Sequence, residues 1–71
     1  MGIQIEMADL TDTKKFWAWS GKTYNSIGEF AREYNSQAKK MGEDHLCKAQ
    51  IALLDLGMQT PTSKWVFRVV I

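Results

Sequence analysis

"SIGEFAREYNSQAKKMG", residues 26–42, is the stretch that decides the fold, because it carries the signals of one long amphipathic helix. Ser26 followed three residues later by Glu29 is a capping box, in which each side chain can satisfy a free backbone amide. Gly42 is a typical C-terminal stop. The apolar residues recur at spacings of three, four and seven and form one continuous stripe: Ile27, Phe30, Ala31, Tyr34, Ala38 and Met41. Such a stripe needs a sheet to lie on.

Strands on either side of this helix are expected to supply that sheet. Residues 3–8, "IQIEMA", alternate apolar and polar side chains, which is typical of a half-buried strand. A turn-rich segment separates them from a second predicted strand, Lys15 to Ser20, so that the two form a hairpin. The last segment, "WVFRVVI" (65–71), predicts a strand with one wholly apolar face: Trp65, Phe67, Val69 and Ile71.

Residues 46–56, "LCKAQIALLDL", are compatible with two structures. Every second residue from 47 to 53 is apolar, as in a strand, but the leucines also fit a helical face, and both Ala and Leu favour helices. We expect a strand, because the last strand needs a neighbour. A hairpin through the turn "GMQTPTS", residues 57–63, is the shortest way to provide one.

The expected fold is therefore α+β: a small antiparallel sheet with one amphipathic helix packed on one face, in the order ββαββ. The 71 residues form a single domain, 1–71, in this interpretation. A chain this short can still build a core because 45% of its residues are apolar and eight are Trp, Phe or Tyr.

Composition also excludes several classes of function. Nine Lys and Arg against eight Asp and Glu give a net charge of +1, which argues against a protein that depends on many phosphate contacts. The apolar and aromatic content excludes a disordered tail. With one cysteine, no leader and no apolar run near the ~20 residues of a membrane span, we expect a cytoplasmic protein with no membrane segment.

Trp17 and Trp19 are the main candidates for a contact surface. In a strand they share one face, and Phe16 and Ala18 share the other. One helix can cover only one face of the sheet. If Phe16 and Ala18 lie on the covered face, both indoles are exposed on the other face, near Arg68. The alternative is that both indoles are core, under the helix or at a homodimer contact. The predicted partner-binding residues are Lys15, Trp17, Trp19, Lys22 and Arg68, with the outer helix face as the reserve surface: Arg32, Glu33, Ser36 and Lys40.

No motif indicates catalysis, a metal or a cofactor. His45 and Cys47 would need two further ligands to hold zinc, and their spacing does not favour a nucleophile–base pair. Gly21 and Lys22 are similar to the end of a phosphate-binding loop, but Phe16 stands where the first glycine is required. We therefore expect a protein that is not an enzyme and binds no metal or cofactor.

The segment "DTKKFWA", residues 12–18, resembles the strand opening of the small inhibitor of bacterial RNA polymerase made by T-odd phages. The overall plan is also similar to phage anti-defence and anti-CRISPR proteins, which are short chains with one helix on a small antiparallel sheet. Only Phe16 and Trp17 correspond residue by residue. This chain adds a strand before the segment, and its helix begins soon after Gly21.

The resemblance implies a class of behaviour rather than a target. It implies stoichiometric binding to a large host protein or ribonucleoprotein complex, such as a CRISPR or other defence effector or the transcription machinery, and steric inhibition of it. Two alternatives stay open. One is a nucleic-acid-binding regulator that stacks bases on the indoles, with Lys14, Lys15, Lys22 and Arg68 as its basic groove. The other is a self-associating structural module.

Overall fold

The computed structural model describes residues 2–12 and 15–70, which form an antiparallel sheet of four strands and two helices. The order of the strands in the sheet is β2-β1-β4-β3. The predicted α+β class and antiparallel sheet are confirmed. The predicted ββαββ order is wrong, because a second helix stands between the first helix and the third strand. The elements are β1 (Gln4–Asp9), β2 (Trp17–Ala18), α1 (Ile27–Met41), α2 (Lys48–Asp55), β3 (Thr60–Pro61) and β4 (Trp65–Val70).

Helix α1 has the bounds that its sequence signals predict. The Ser26 hydroxyl accepts a hydrogen bond from the Glu29 amide at 3.2 Å, so it satisfies one of the free donors of the first turn. Gly42 ends the helix with a φ of 69°, a left-handed conformation that a residue without a Cβ adopts at low cost. The predicted stripe is buried along most of its length, at Ile27, Phe30, Ala31, Tyr34 and Ala38.

Helix α2 replaces the strand that we expected over residues 46–56. The Asn35 side chain bonds both backbone groups of Leu46: its oxygen accepts from the amide at 2.7 Å, and its nitrogen donates to the carbonyl at 3.2 Å. The Gln50 side chain accepts from the Cys47 amide at 2.8 Å and so caps the first turn. The helix propensity of this segment therefore outweighs its strand-like alternation. Asn35 of α1 fixes the chain just before α2, and Leu54 of α2 is buried in the core.

The neighbour that β4 needs comes from the segment predicted as a turn. Thr60 pairs with Phe67 and Pro61 with Val66, so β3 is a two-residue edge strand. An edge position tolerates a proline because the ladder needs no amide from it. Strand β2 is also shorter than the predicted Lys15 to Ser20, and Ile71 of the predicted β4 face lies outside the described residues.

Strand register decides which face of the sheet the helices cover. Met7 lies opposite Trp17 on one side and Phe67 on the other, so the three side chains share a face. Helix α1 covers this face, with the rings of Tyr34 and Phe67 4.8 Å apart and those of Trp19 and Tyr34 5.1 Å apart. The alternative in which Phe16 and Ala18 lie on the helix side is therefore ruled out. The alternative in which both indoles are buried in this chain does not hold either, because Trp17 is exposed.

The open face of the sheet carries an ion pair stacked on an aromatic ring. Arg68 donates from Nε to the Glu6 carboxylate at 2.7 Å, and its guanidinium lies 3.8 Å from the centre of the Phe16 ring. These groups lie on the face that also carries Ala8 and Val66, both of which are buried. Arg68, which we predicted beside the two indoles, is thus on the face opposite to them.

Tyr34 offers a direct test of this core. Its side chain is buried, its hydroxyl has no hydrogen-bond partner among the described residues, and burial raises the pKa of the phenol to about 12. A buried hydroxyl without a partner costs stability. We expect Tyr34→Phe to leave the free energy of unfolding unchanged or to raise it by about 1 kcal/mol. Urea denaturation of both proteins measures this, and a clear loss of stability would mean that the hydroxyl has a partner.

Candidate protein-binding surface

Three of the five large apolar side chains that are exposed in the described chain lie at one end of the molecule. Trp17 is 42% exposed, Met41 57% and Leu10 39%. Trp17 contacts Trp65, and the Leu10 amide donates to the Lys64 carbonyl at 3.0 Å. Met41 ends α1 two residues before Glu43, which is bonded to both Lys64 and Trp65. We call this region the aromatic end and define it as Leu10, Trp17, Met41, Glu43, Lys64 and Trp65.

The indoles of Trp17 and Trp65 form its centre. Their ring centres are 6.5 Å apart and their planes are nearly perpendicular, at 85°, which is a favourable edge-to-face geometry. Trp65 is half-buried against the core cluster, while Trp17 is on the edge strand β2 beyond it. Trp17 is therefore exposed although it projects from the helix-covered face of the sheet.

Glu43 holds this centre in place. One carboxylate oxygen accepts from the Trp65 indole nitrogen at 3.2 Å, and the other accepts from the Lys64 ammonium at 3.1 Å. The ammonium also lies 5.0 Å from the centre of the Trp65 ring. The Glu43 carboxylate, in the loop after α1, thus orients the Trp65 ring at the start of β4 and the Lys64 cation just before it.

Trp19, the second predicted contact residue, is partly buried and packs against the core instead. Its ring lies 5.1 Å from Tyr34 and 6.3 Å from Phe30, both on α1. Its amide donates to the Ile5 carbonyl at 2.7 Å, which ties it to β1. The two indoles share a face, as expected, but the helix covers one and leaves the other exposed.

Lys22 lies in a groove of about 380 Å³ between the loop before α1 and the outer face of that helix. The groove brings Lys22 together with three residues of the reserve surface: Arg32, Glu33 and Ser36. Lys40 is exposed one turn beyond Ser36 and does not line it. The five predicted contact residues therefore lie in separate places. Trp17 is at the aromatic end, Lys15 is exposed just before β2, Trp19 packs against the core, Lys22 lies in the groove and Arg68 is on the open sheet face.

A hydrogen-bond network orders the wall of this groove. The Lys22 ammonium donates to Glu33 at 2.7 Å, and the Tyr24 hydroxyl donates to the other oxygen of the same carboxylate. These bonds, that from Lys22 first, hold the pKa of the Glu33 carboxyl below its ordinary value. The same bond raises the pKa of Lys22, and burial is the main cause of the raised pKa of Tyr24. The groove is thus polar and internally neutralised.

Sequence reasoning did not identify most of the aromatic end. The apolar periodicity of the last strand and of the helix predicts that Trp65 and Met41 lie on buried faces. Met41 is exposed and Trp65 only half-buried because of where the helix and the sheet end, and no spacing in the sequence shows that. Glu43 and Lys64 are 21 positions apart, so only the folded chain brings them together.

Comparisons of the chain with protein-family models, with curated proteins and with solved structures found no match. Neither helix of the described chain is long and apolar enough to cross a membrane. Residues 2–12 and 15–70 contain no cluster of three or more side chains suited to hold a metal ion.

The different positions of the two indoles predict different costs of truncation. Trp19→Ala removes a ring packed on Phe30 and Tyr34, so we expect a loss of about 3 kcal/mol in the free energy of unfolding. Trp17→Ala removes one edge contact and an exposed ring, so we expect a loss of about 1 kcal/mol. Chemical denaturation of both variants tests this, and equal losses would contradict the assignment of Trp17 to the surface.

The hydrogen bonds in the groove predict a lowered pKa for the Glu33 carboxyl. We expect the Glu33 carboxyl to titrate below its ordinary pKa in an NMR experiment, and Lys22→Gln to shift that pKa upward. Because the folded chain favours the charged carboxylate, its contribution to stability is present above the unfolded pKa and is lost as the pH falls through the lowered value. A titration that Lys22→Gln does not change would show that Lys22 is not its partner in solution.

Proposed function

We propose that this protein is a stoichiometric inhibitor, encoded by a phage or mobile element, that binds a host macromolecular complex through its aromatic end and blocks it sterically. The observation that carries the proposal is the exposed Trp17, packed edge-on against Trp65 at the end where Leu10 and Met41 are also exposed. The resemblance of residues 12–18 to the phage inhibitor of RNA polymerase supports the class of target: a large complex in the host cytoplasm. Catalysis and cofactors have no part in it.

The composition of this surface is that of a contact hot spot. Binding energy at interfaces concentrates in a few aromatic side chains that pack into a partner, surrounded by a polar rim. Here the Trp17 and Trp65 indoles supply the apolar centre, and Glu43 and Lys64 supply charged groups beside it. Trp17 and Met41 each have about half of their surface in contact with water. Burying these uncharged side chains against a partner gives favourable binding free energy with little desolvation of charge.

Preorganisation adds to the affinity of such a surface. Trp65 is fixed by its bond to Glu43 and by its packing on the core, and it limits the positions that the Trp17 ring can take. A side chain that is ordered before binding loses less conformational entropy on binding. A low entropy cost of binding is important for an inhibitor of 71 residues, because its contact area is small.

The first experiment is a pull-down of the tagged chain from nuclease-treated bacterial lysate, with wild type, Trp17→Ala and a control. Leu56→Ser is the matched control, because Leu56 is a more exposed apolar side chain outside the aromatic end. We expect wild type and the control to capture one large complex. Titration of that complex should show inhibition complete at one equivalent, and Trp17→Ala should weaken binding by about 2 kcal/mol, or roughly 30-fold.

Two results would reject this function. Equal capture by Trp17→Ala would show that the aromatic end is not the contact surface. Material captured from untreated lysate but not from nuclease-treated lysate, or affinity that falls steeply with added salt, would indicate that nucleic acid is the partner.

A further inference from the structure

The ammonium of Lys64 occupies a position at the aromatic end that is suited to a cation. It lies 3.1 Å from one oxygen of the Glu43 carboxylate and 5.0 Å from the centre of the Trp65 ring. A carboxylate and the face of an indole both attract positive charge, and here they act on the same point. The other Glu43 oxygen accepts from the Trp65 indole nitrogen at 3.2 Å, so the two groups are held together by a bond that does not involve Lys64.

Lys64 is held loosely in this position. Its side chain is 54% exposed, whereas that of Glu43 is 18% exposed. The open sheet face has a closer arrangement of the same kind, in which Arg68 donates to Glu6 at 2.7 Å and lies 3.8 Å from the centre of the Phe16 ring. An ion pair with the exposure of Lys64 contributes little to stability. A cation from another molecule can therefore replace Lys64 at small cost.

A second carboxylate lies beside this position. Asp9 pairs with Trp65 in the register of β1 and β4, so both side chains project from the helix-covered face of the sheet. Hydrogen bonds from Thr11, and after them the charge of Lys64, hold the pKa of the Asp9 carboxyl below its ordinary value. Asp9 is therefore negatively charged at neutral pH and close enough to Lys64 to interact with it.

A third carboxylate adds to the negative charge. Burial, and then the charges of Glu43 and Asp44, raise the pKa of the Tyr34 phenol to about 12, so both carboxylates lie near that buried ring. The charged groups that interact here are thus three carboxylates, of Asp9, Glu43 and Asp44, and the one ammonium of Lys64. This excess of negative charge favours a cationic partner and opposes nucleic acid.

We propose that the aromatic end binds an arginine side chain of its protein partner, which takes the place of the Lys64 ammonium between Glu43 and the Trp65 ring. The inference rests on the proposed function and names the chemistry that its surface recognises. A guanidinium suits this position because it is planar, weakly hydrated and able to bond a carboxylate while it stacks on a ring, as Arg68 does in this chain. The exposed Trp17 ring, 6.5 Å from Trp65, offers an apolar contact to the aliphatic part of the arginine.

Lys64→Gln distinguishes a cationic partner from an anionic one by the sign of its effect. Removal of the side chain that occupies the position should tighten the binding of an arginine about threefold. The same change would weaken binding if the partner presented a carboxylate or a phosphate to Lys64. Lys15→Gln is the matched control, because it removes the same charge from an exposed residue two positions before Trp17. We expect it to change the affinity less than Lys64→Gln does.

NMR titration of the isotope-labelled chain tests the position without the target. The probe is a short peptide of glycine and serine with one central arginine, and the control peptide carries the uncharged isostere citrulline. We expect the arginine peptide alone to shift the indole N–H signals of Trp17 and Trp65, and neither peptide to shift that of Trp19. Lys64→Gln should lower the dissociation constant about threefold, and Glu43→Gln, which keeps an oxygen for the indole but loses the charge, should raise it about fivefold.

Any of three results would overturn the arginine site. The arginine peptide could leave the Trp65 signal unchanged or act no differently from the citrulline peptide, Lys64→Gln could weaken its binding, or Glu43→Gln could leave its binding unchanged in a variant that circular dichroism shows to be folded. Failure of the inhibitor function is read separately, from target capture by Trp17→Ala. Capture that Trp17→Ala abolishes and Lys64→Gln weakens would keep the aromatic end as the contact surface and reject arginine as its ligand.

Discussion

Two helices, of 15 and 8 residues, have to cover one face of a four-stranded sheet, and the rest of the structure depends on how far the longer one, α1, reaches. Phe30 and Tyr34 pack on Phe67 of the central strand β4, with ring centres 5.8 and 4.8 Å apart. Trp19 completes this aromatic cluster from the β2 side. The cluster fills the space under the middle of α1, and beyond it the Met41 side chain at the C-terminal end of the helix is exposed.

Apolar surface is left uncovered near both ends of α1. At the C-terminal end of α1, Met41 and Trp17 stay in contact with solvent although both belong to the helix side of the sheet. At the N-terminal end, α2 covers the sheet with Leu54, but the chain turns away at Gly57 and leaves a cavity. A short chain that cannot enclose all of its apolar surface retains such patches, and they are available for contacts with other molecules.

Three ion pairs among residues 2–12 and 15–70 order side chains on separate surfaces of the molecule. Lys22 pairs with Glu33 beside α1, Lys64 with Glu43 at the aromatic end, and Arg68 with Glu6 on the open sheet face. Ion pairs with this much exposure add little to stability. Their effect is to orient: Glu43 fixes the Trp65 indole, and Arg68 lies over the Phe16 ring. Each pair also neutralises its surface, which agrees with a net charge of only +1.

Local patterns predicted the elements whose signals are complete within one segment. Ser26, Glu29 and Gly42 define α1 without reference to the rest of the chain, because caps and stripe act over one or two turns. The alternation in β1 and β4 is equally local. Residues 46–56 were ambiguous because their apolar pattern fits both periods, and the decision came from Asn35, which bonds Leu46 from another element.

The sequence by itself thus determined the α+β class, helix α1 and the strands β1 and β4, since their periodicity and capping are short-range properties. Only the tertiary structure decided which face of β2 the helix covers, because that depends on the register of Trp17 opposite Met7. It also decided that Trp17 is exposed while Trp19 is packed, since the position of α1 over the sheet sets their burial. Contacts between residues distant in the chain, such as Glu43 with Trp65, have no signature in local spacing.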